Sequence, residues 1–150
     1  MTEAQGPEPR QFNTIALLGQ AYSLLGFRIV EGVVGAGHPI KPSHSAVFAQ
    51  IKPEGSRLTE LAAGANMTPQ SMGDIVDELE ALGYVTRRPD PRDRRAKLIA
   101  LTVRGRTAVD AGESTITGIE DDIVNILGEK GAVQLRAMLV KILSAPPPDR

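Results

Sequence analysis

The stretch from Thr68 to Gly83 constrains the fold most. Thr68 can cap a helix, Pro69 stands where the first helical residue needs no amide donor, and Gly83 suits the left-handed position just past the last turn. Between them Met72, Ile75, Val76, Leu79 and Leu82 recur at helical spacing and make one apolar face. Gln70, Ser71, Gly73, Asp74, Asp77 and Glu78 are left outside. The pattern then changes abruptly. Tyr84-Val85-Thr86-Arg87-Arg88 is β-branched and aromatic and reads as a strand, with Lys97-Leu98-Ile99-Ala100-Leu101 as its partner. Pro89 to Arg95 is read as a loop of seven residues, longer than a tight hairpin needs. Its two prolines stiffen it, and its three arginines outnumber its two aspartates.

Upstream, Leu18, Ala21, Leu25, Ile29 and Val33 predict a helix from Phe12 to about Gly37, ended by Gly35-Ala36-Gly37-His38-Pro39. Ser43 is expected to cap a short helix through Ala46, Val47, Phe48 and Ile51. A turn at Lys52–Gly55 leads to a third helix, Leu58–Ala65. Downstream, Thr102 starts a helix to Leu127 that would be about 39 Å long at 1.5 Å per residue. Gly128–Gly131 should break it before a last helix, Ala132–Leu143. Three helices, a strand, a basic loop and a strand are the order of a winged helix-turn-helix. The fold class expected is therefore mainly α with a small β-hairpin. A winged helix-turn-helix domain (41–105) would sit between N- and C-terminal helices (12–40 and 106–145) that form a dimerisation region. A flexible leader (1–11) and a Pro-rich tail (146–150) complete the chain. The apolar faces of the terminal helices have no partner in one small domain. Burying a few hundred Å² of each against a second copy would stabilise a homodimer by several kcal/mol, at about 25 cal/mol per Å².

Charge narrows the function. The net charge is −1, but residues 84–106 hold eight Lys and Arg against two Asp and Glu. Such a positive focus on an acidic body is what a phosphate-binding element looks like electrostatically. There is no cysteine, hence no disulfide framework and no thiolate metal site, and two histidines are too few for a metal cluster. No Ser-His-Asp or Cys-His set is apparent, so the chain is not read as an enzyme, and no cofactor is expected. No charge-free stretch reaches 18 apolar residues, so no membrane span is expected, and the leader lacks a secretory core; a cytoplasmic protein is expected. Aromatics at 3% argue against RNA binding by base stacking.

The turn Gly64-Ala65-Asn66-Met67 would set the angle at which the 68–82 helix enters a DNA major groove. There Thr68, Gln70, Ser71 and Asp74 could read base edges, and the loop would reach the minor groove or the backbone. Asp93 and Arg95 are close enough along the chain for a charge-assisted hydrogen bond that pre-organises the loop. Leu58-Thr59-Glu60-Leu61-Ala62, Thr68-Pro69-Gln70-Ser71-Met72, Leu79-Glu80-Ala81-Leu82-Gly83-Tyr84-Val85 and above all Arg88-Pro89-Asp90-Pro91-Arg92-Asp93-Arg94-Arg95-Ala96-Lys97, then Leu101-Thr102-Val103-Arg104-Gly105, occur in order. This set resembles the MarR (multiple antibiotic resistance) type of bacterial transcriptional regulator.

The resemblance implies a homodimer on double-stranded DNA, with Asp93 bracing Arg95 at the wing tip and Arg92 and Arg94 on phosphate. Ser43 and Arg87 complete the candidate DNA contacts. It also implies a small aromatic or anionic effector, for which Tyr22, Phe27, His44 and Phe48 are the candidates. The function expected is repression at a pseudo-palindrome with half-sites about one helical turn apart. The outer face of the 68–82 helix departs from the pattern. Asp74, Asp77, Glu78 and Glu80 make it acidic, with no Lys or Arg before Arg87. Affinity should then lean on the wing and fall steeply with salt. The alternative is a winged helix used for protein–protein interaction without specific DNA binding.

Overall fold

The structure, a computed structural model, describes residues 13–146. The leader, Phe12 and the tail beyond residue 146 lie outside the described residues. Helix α1 (Thr14–Gly35) starts where the Asn13 side chain accepts from the Ala16 N–H at 2.9 Å, and the chain leaves it through Gly37 at φ +93°. A 3₁₀ turn (Pro42–His44) runs directly into the one-turn α2 (Ser45–Phe48). Ser43 therefore lies inside the turn and caps nothing. Lys41 holds the capping position, and its N–H is satisfied by His44 Nδ1 at 3.1 Å. Helices α3 (Leu58–Gly64) and α4 (Pro69–Ala81) follow, joined through Asn66 at φ +53°. Asparagine tolerates that left-handed conformation better than most side chains. Thr68 caps α4 by accepting from the Ser71 N–H at 3.2 Å, and Gly83 closes its end at φ +80°.

Strands β1 (Val85–Asp90) and β2 (Asp93–Leu101) pair antiparallel from Val85↔Leu101 to Pro89↔Lys97, and the register then jumps to Asp90↔Asp93. The expected seven-residue loop is thus mostly strand. Only Pro91 and Arg92 turn, and Arg94 to Ala96 take up the slack without register partners. Ser56 adds a two-bond bridge to Ile99 on the far side of β2 (2.9 and 2.8 Å), leaving β1 and its donor-less Pro89 at the edge.

Helix α5 (Val103–Ser144) is capped by Thr102, whose hydroxyl accepts from the Gly105 N–H at 3.0 Å. It is interrupted at Gly128 alone (φ +73°), where four residues were expected to break it. Arg136 lies 2.7 Å from Glu120, 16 positions earlier. A straight helix would separate them by about 24 Å, so the chain doubles back at Gly128.

The core joins Val47 of α2, Leu61 of α3, Met72, Val76 and Leu79 of α4, and Tyr84, Val85 and Ile99 of the hairpin. Helix α1 lies on α5. Gly32 sits so close to Thr115 that an added Cβ would overlap its side chain, and Arg28 pairs with Asp122 at 2.5 Å. Of the apolar stripe expected on α1, Val33 is buried while Leu18 and Ala21 are exposed. By length and composition α1 could cross a membrane, which the reading of the sequence did not foresee; 11% of its most apolar window is buried in this chain.

Gly105 fixes the first turn of α5 against the hairpin, because a Cβ there would overlap the Tyr84 carbonyl oxygen. Gly105→Ala should lower stability by about 1–3 kcal/mol, measured by urea denaturation, despite alanine's better helix propensity. An unchanged midpoint would mean that the overlap is relieved without strain.

Candidate nucleic-acid interface

Met72, Val76 and Leu79 turn one side of α4 into the core, which leaves Gln70, Asp74, Asp77 and Ala81 along the opposite stripe. The acidic residues beside that stripe are largely paired. On one flank Glu78 Oε2 accepts from Lys41 Nζ at 2.8 Å and meets His44 Nε2 at 3.0 Å. Lys41 and then His44 hold the Glu78 carboxyl below its ordinary value of 4.5. Because His44 Nδ1 accepts from the Lys41 N–H, Nε2 is the nitrogen left to donate to Glu78. On the other flank Arg87 of β1 reaches Asp77 at 2.7 Å and Glu80 at 2.9 Å. Partial burial opposes the Arg87 charge, but those two carboxylates more than offset it and raise its pKa. Asp74 has no ion-pair partner among the described residues. Gln70 and Ser71 are exposed, whereas Thr68 is committed to capping. Arg87, a candidate DNA contact, pairs here with α4's own acids.

The wing carries the expected Asp93–Arg95 hydrogen bond and a second, stronger brace that was not expected. Asp93 Oδ1 accepts only the Arg95 backbone N–H, at 3.0 Å; its other oxygen stands 3.8 Å from Arg57. The strong brace is Asp90, a buried carboxylate. It accepts from the Arg92 N–H at 2.9 Å, and from Arg57 Nε and a terminal guanidinium nitrogen at 2.8 and 2.7 Å. The Arg92 N–H first, and then Arg57, hold the Asp90 carboxyl below its ordinary 3.8 against the opposing effect of burial. The Arg92 side chain adds a longer contact to Asp90 at 3.4 Å, so it is partly engaged within the wing. Arg94 and Arg95 are exposed, and neither has an ion-pair partner among the described residues.

The effector candidates separate. Tyr22, Phe27 and Phe48 line one open cleft of about 630 Å³, lined on its other sides by Val33, Ile40, Ile116 and neighbouring residues of α1 and α5. His44 is fully buried on the opposite side of the Pro42–Phe48 element, bonded to Glu78, and does not line the cavity. Arg57, Asp90, Lys41 and Glu80 were missed by the reading of the sequence. The Asp90-Pro91 turn was the available signal for one of them, since aspartate before a turn commonly accepts a backbone N–H two residues on.

Residues 38–96 match the family model described as MarR family. That stretch, 59 of the 150 residues, is similar to the MarR family. CouR from Rhodococcus jostii RHA1, solved with p-coumaroyl-CoA bound, is 26% identical with a TM-score of 0.71, covering 89% of this chain and 93% of that one. A MarR-family transcriptional regulator from Rhodococcus sp. RHA1 is 26% identical at a TM-score of 0.68, over 84% of this chain and 89% of that one. S. aureus MepR, solved as a DNA complex, shares the fold at a TM-score of 0.71 and 21% identity, over 89% and 98% of the two chains. The winged helix of this protein thus has its wing tied down by Asp90 and its acidic helix flanks paired by Lys41, His44 and Arg87.

The depressed Asp90 carboxyl carries a sign. Its stabilisation is present above 3.8 and is lost as pH falls through the lowered native value. Asp90→Asn should lower the melting temperature at neutral pH and flatten the decline of stability with acid below 3.8. Parallel acid limbs in the variant and the parent would contradict the brace.

Proposed function

We propose that this chain is a MarR-family transcriptional regulator: a homodimeric, sequence-specific double-stranded DNA-binding repressor, cytoplasmic, and released by a small aromatic effector. The observation that carries the reading is the division of labour among its cations. Lys41 and Arg87 pair with the flanks of α4, and Arg57 with the wing base, while Arg94 and Arg95 remain exposed on the hairpin. The DNA-facing set is then Gln70, Ser71 and Asp74 on α4, with Arg94 and Arg95 on the wing and Arg92 in a lesser part. Asp74 can accept from a cytosine amino group in the major groove. Asp93, turned to the Arg95 backbone N–H, holds the wing residue that carries the minor-groove contact. Pairing of Asp77, Glu78 and Glu80 removes the main argument for a winged helix that binds protein in place of DNA.

The dimer reading draws on surface that one copy leaves uncovered. Ile15, Tyr22 and Leu24 of α1 and Val133, Ile142 and Leu143 of α5 are all exposed. The apolar length of α1 fits burial against a second copy, in keeping with a dimerisation region (12–40 and 106–145) around a DNA-binding domain (41–105). The cavity beside α2 supports an effector site, and its size suits a small molecule.

The test of the DNA reading is duplex binding by Arg95→Ala beside the parent, on fragments selected from genomic DNA by the purified protein. Affinity should fall, and the slope of log affinity against log salt should become shallower by about 0.9 for each phosphate no longer neutralised. Unchanged affinity and slope would remove the wing from the interface.

A further inference from the structure

The cavity between α1, α2 and α5 has a chemically one-sided lining. Tyr22, Phe27 and Phe48 supply three aromatic rings, and aliphatic side chains supply most of the rest. Its side-chain polar groups are the hydroxyls of Tyr22, Ser23 and Ser45 and one charge, the carboxylate of Glu113 on α5. No lysine, arginine or histidine among the described residues lines it. An anion entering such a cavity gives up hydration, finds no cation to replace it, and meets a like charge. An organic cation finds the reverse. Its apolar body is covered by the aliphatic wall, and its ammonium can pair with Glu113 while ring faces, which carry negative quadrupole density, attract it further.

We propose that the cavity selects an apolar ligand bearing one positive charge, with Glu113 as its counter-charge. The proposal rests on reading the cavity as the effector site and names the chemistry of what enters it. The anionic half of the expectation drawn from the resemblance falls away. A ligand such as the CoA thioester bound to CouR carries phosphates for which this lining offers no partner.

The experiment is calorimetric binding of a matched trio, phenylbutylamine, phenylbutanol and phenylbutanoate, to the full chain. The trio shares one apolar body and differs only in its charge. Binding is repeated with Glu113→Gln, an exposed position where the change removes charge and little volume. The amine should bind tightest and the acid weakest, with the amine favoured over the acid by about tenfold or more. Glu113→Gln should remove most of the amine's advantage over the alcohol and leave the alcohol unchanged, which also shows that the variant is folded. Acid binding as tight as amine binding, or an amine preference undiminished by Glu113→Gln, would overturn the charge assignment while leaving the effector site standing. Binding of none of the three would overturn the effector reading itself, and is the result expected if side chains of a second copy fill the cavity.

Discussion

A carboxylate with no exposed surface sits at the base of the wing, and it has to be paired. Asp90 meets the Arg92 N–H across its own turn and the Arg57 guanidinium from the residue preceding α3. Taking a charge out of water is tolerable only when its lone pairs are satisfied, so the pair resists being pulled apart more than a surface ion pair does. One end of that link is the wing and the other is the start of the helix-turn-helix. The hairpin is therefore held relative to α3 and α4, which an exposed β-ribbon with an irregular tip would not otherwise be. Gly105 against the Tyr84 carbonyl fastens the other end of the hairpin to α5. A wing fixed at both ends can present Arg94 and Arg95 in one place.

The same economy of charge shapes α4. Its acids would repel a phosphate backbone if left bare, yet Lys41, His44 and Arg87 take up Glu78, Asp77 and Glu80 along its two flanks. Those contacts also tie α4 to its neighbours. Arg87 links it to β1, and His44 links it to the Pro42–Phe48 element. That short element touches two regions at once: Pro42, Ser45 and Phe48 line the cavity, whereas His44 and Val47 turn into the protein interior. A ligand that shifts the element has a direct physical path to α4 through a buried imidazole and one carboxylate.

Much of this was legible in the sequence, for reasons that differ from element to element. Thr68, Pro69 and Gly83 gave α4 because cap chemistry is local and depends on few neighbours. The broken helix after Thr102 was visible in its glycines, although a single residue at Gly128 makes the break. The two strands of the wing were read correctly, but its tip was not. Pro89 to Arg95 lacks the alternation that marks a strand, and its pairing comes from Asp90 and from the register jump, which are tertiary facts. For the same reason the local Asp93–Arg95 bond was foreseen and the Asp90 brace was not, since Arg57 lies 33 residues from Asp90. Ser43 looked like a cap because serine often is one, but the turn starts a residue earlier and is satisfied by His44. Tyr22, Phe27 and Phe48 share one cavity and His44 lies apart from them, because nothing in a one-dimensional pattern reveals that Glu78 is its partner.

Two copies, each laying a wing and α4 against one duplex, would leave a distinctive footprint on a fragment selected by the protein, read with dimethyl sulfate at guanine N7 in the major groove and with hydroxyl radical along the minor-groove edge. Two half-sites protected from dimethyl sulfate about 10 base pairs apart, related by a two-fold axis and each flanked by hydroxyl-radical protection, are expected. A single unsymmetrical footprint, or symmetric protection without the flanking minor-groove signal, would contradict this arrangement.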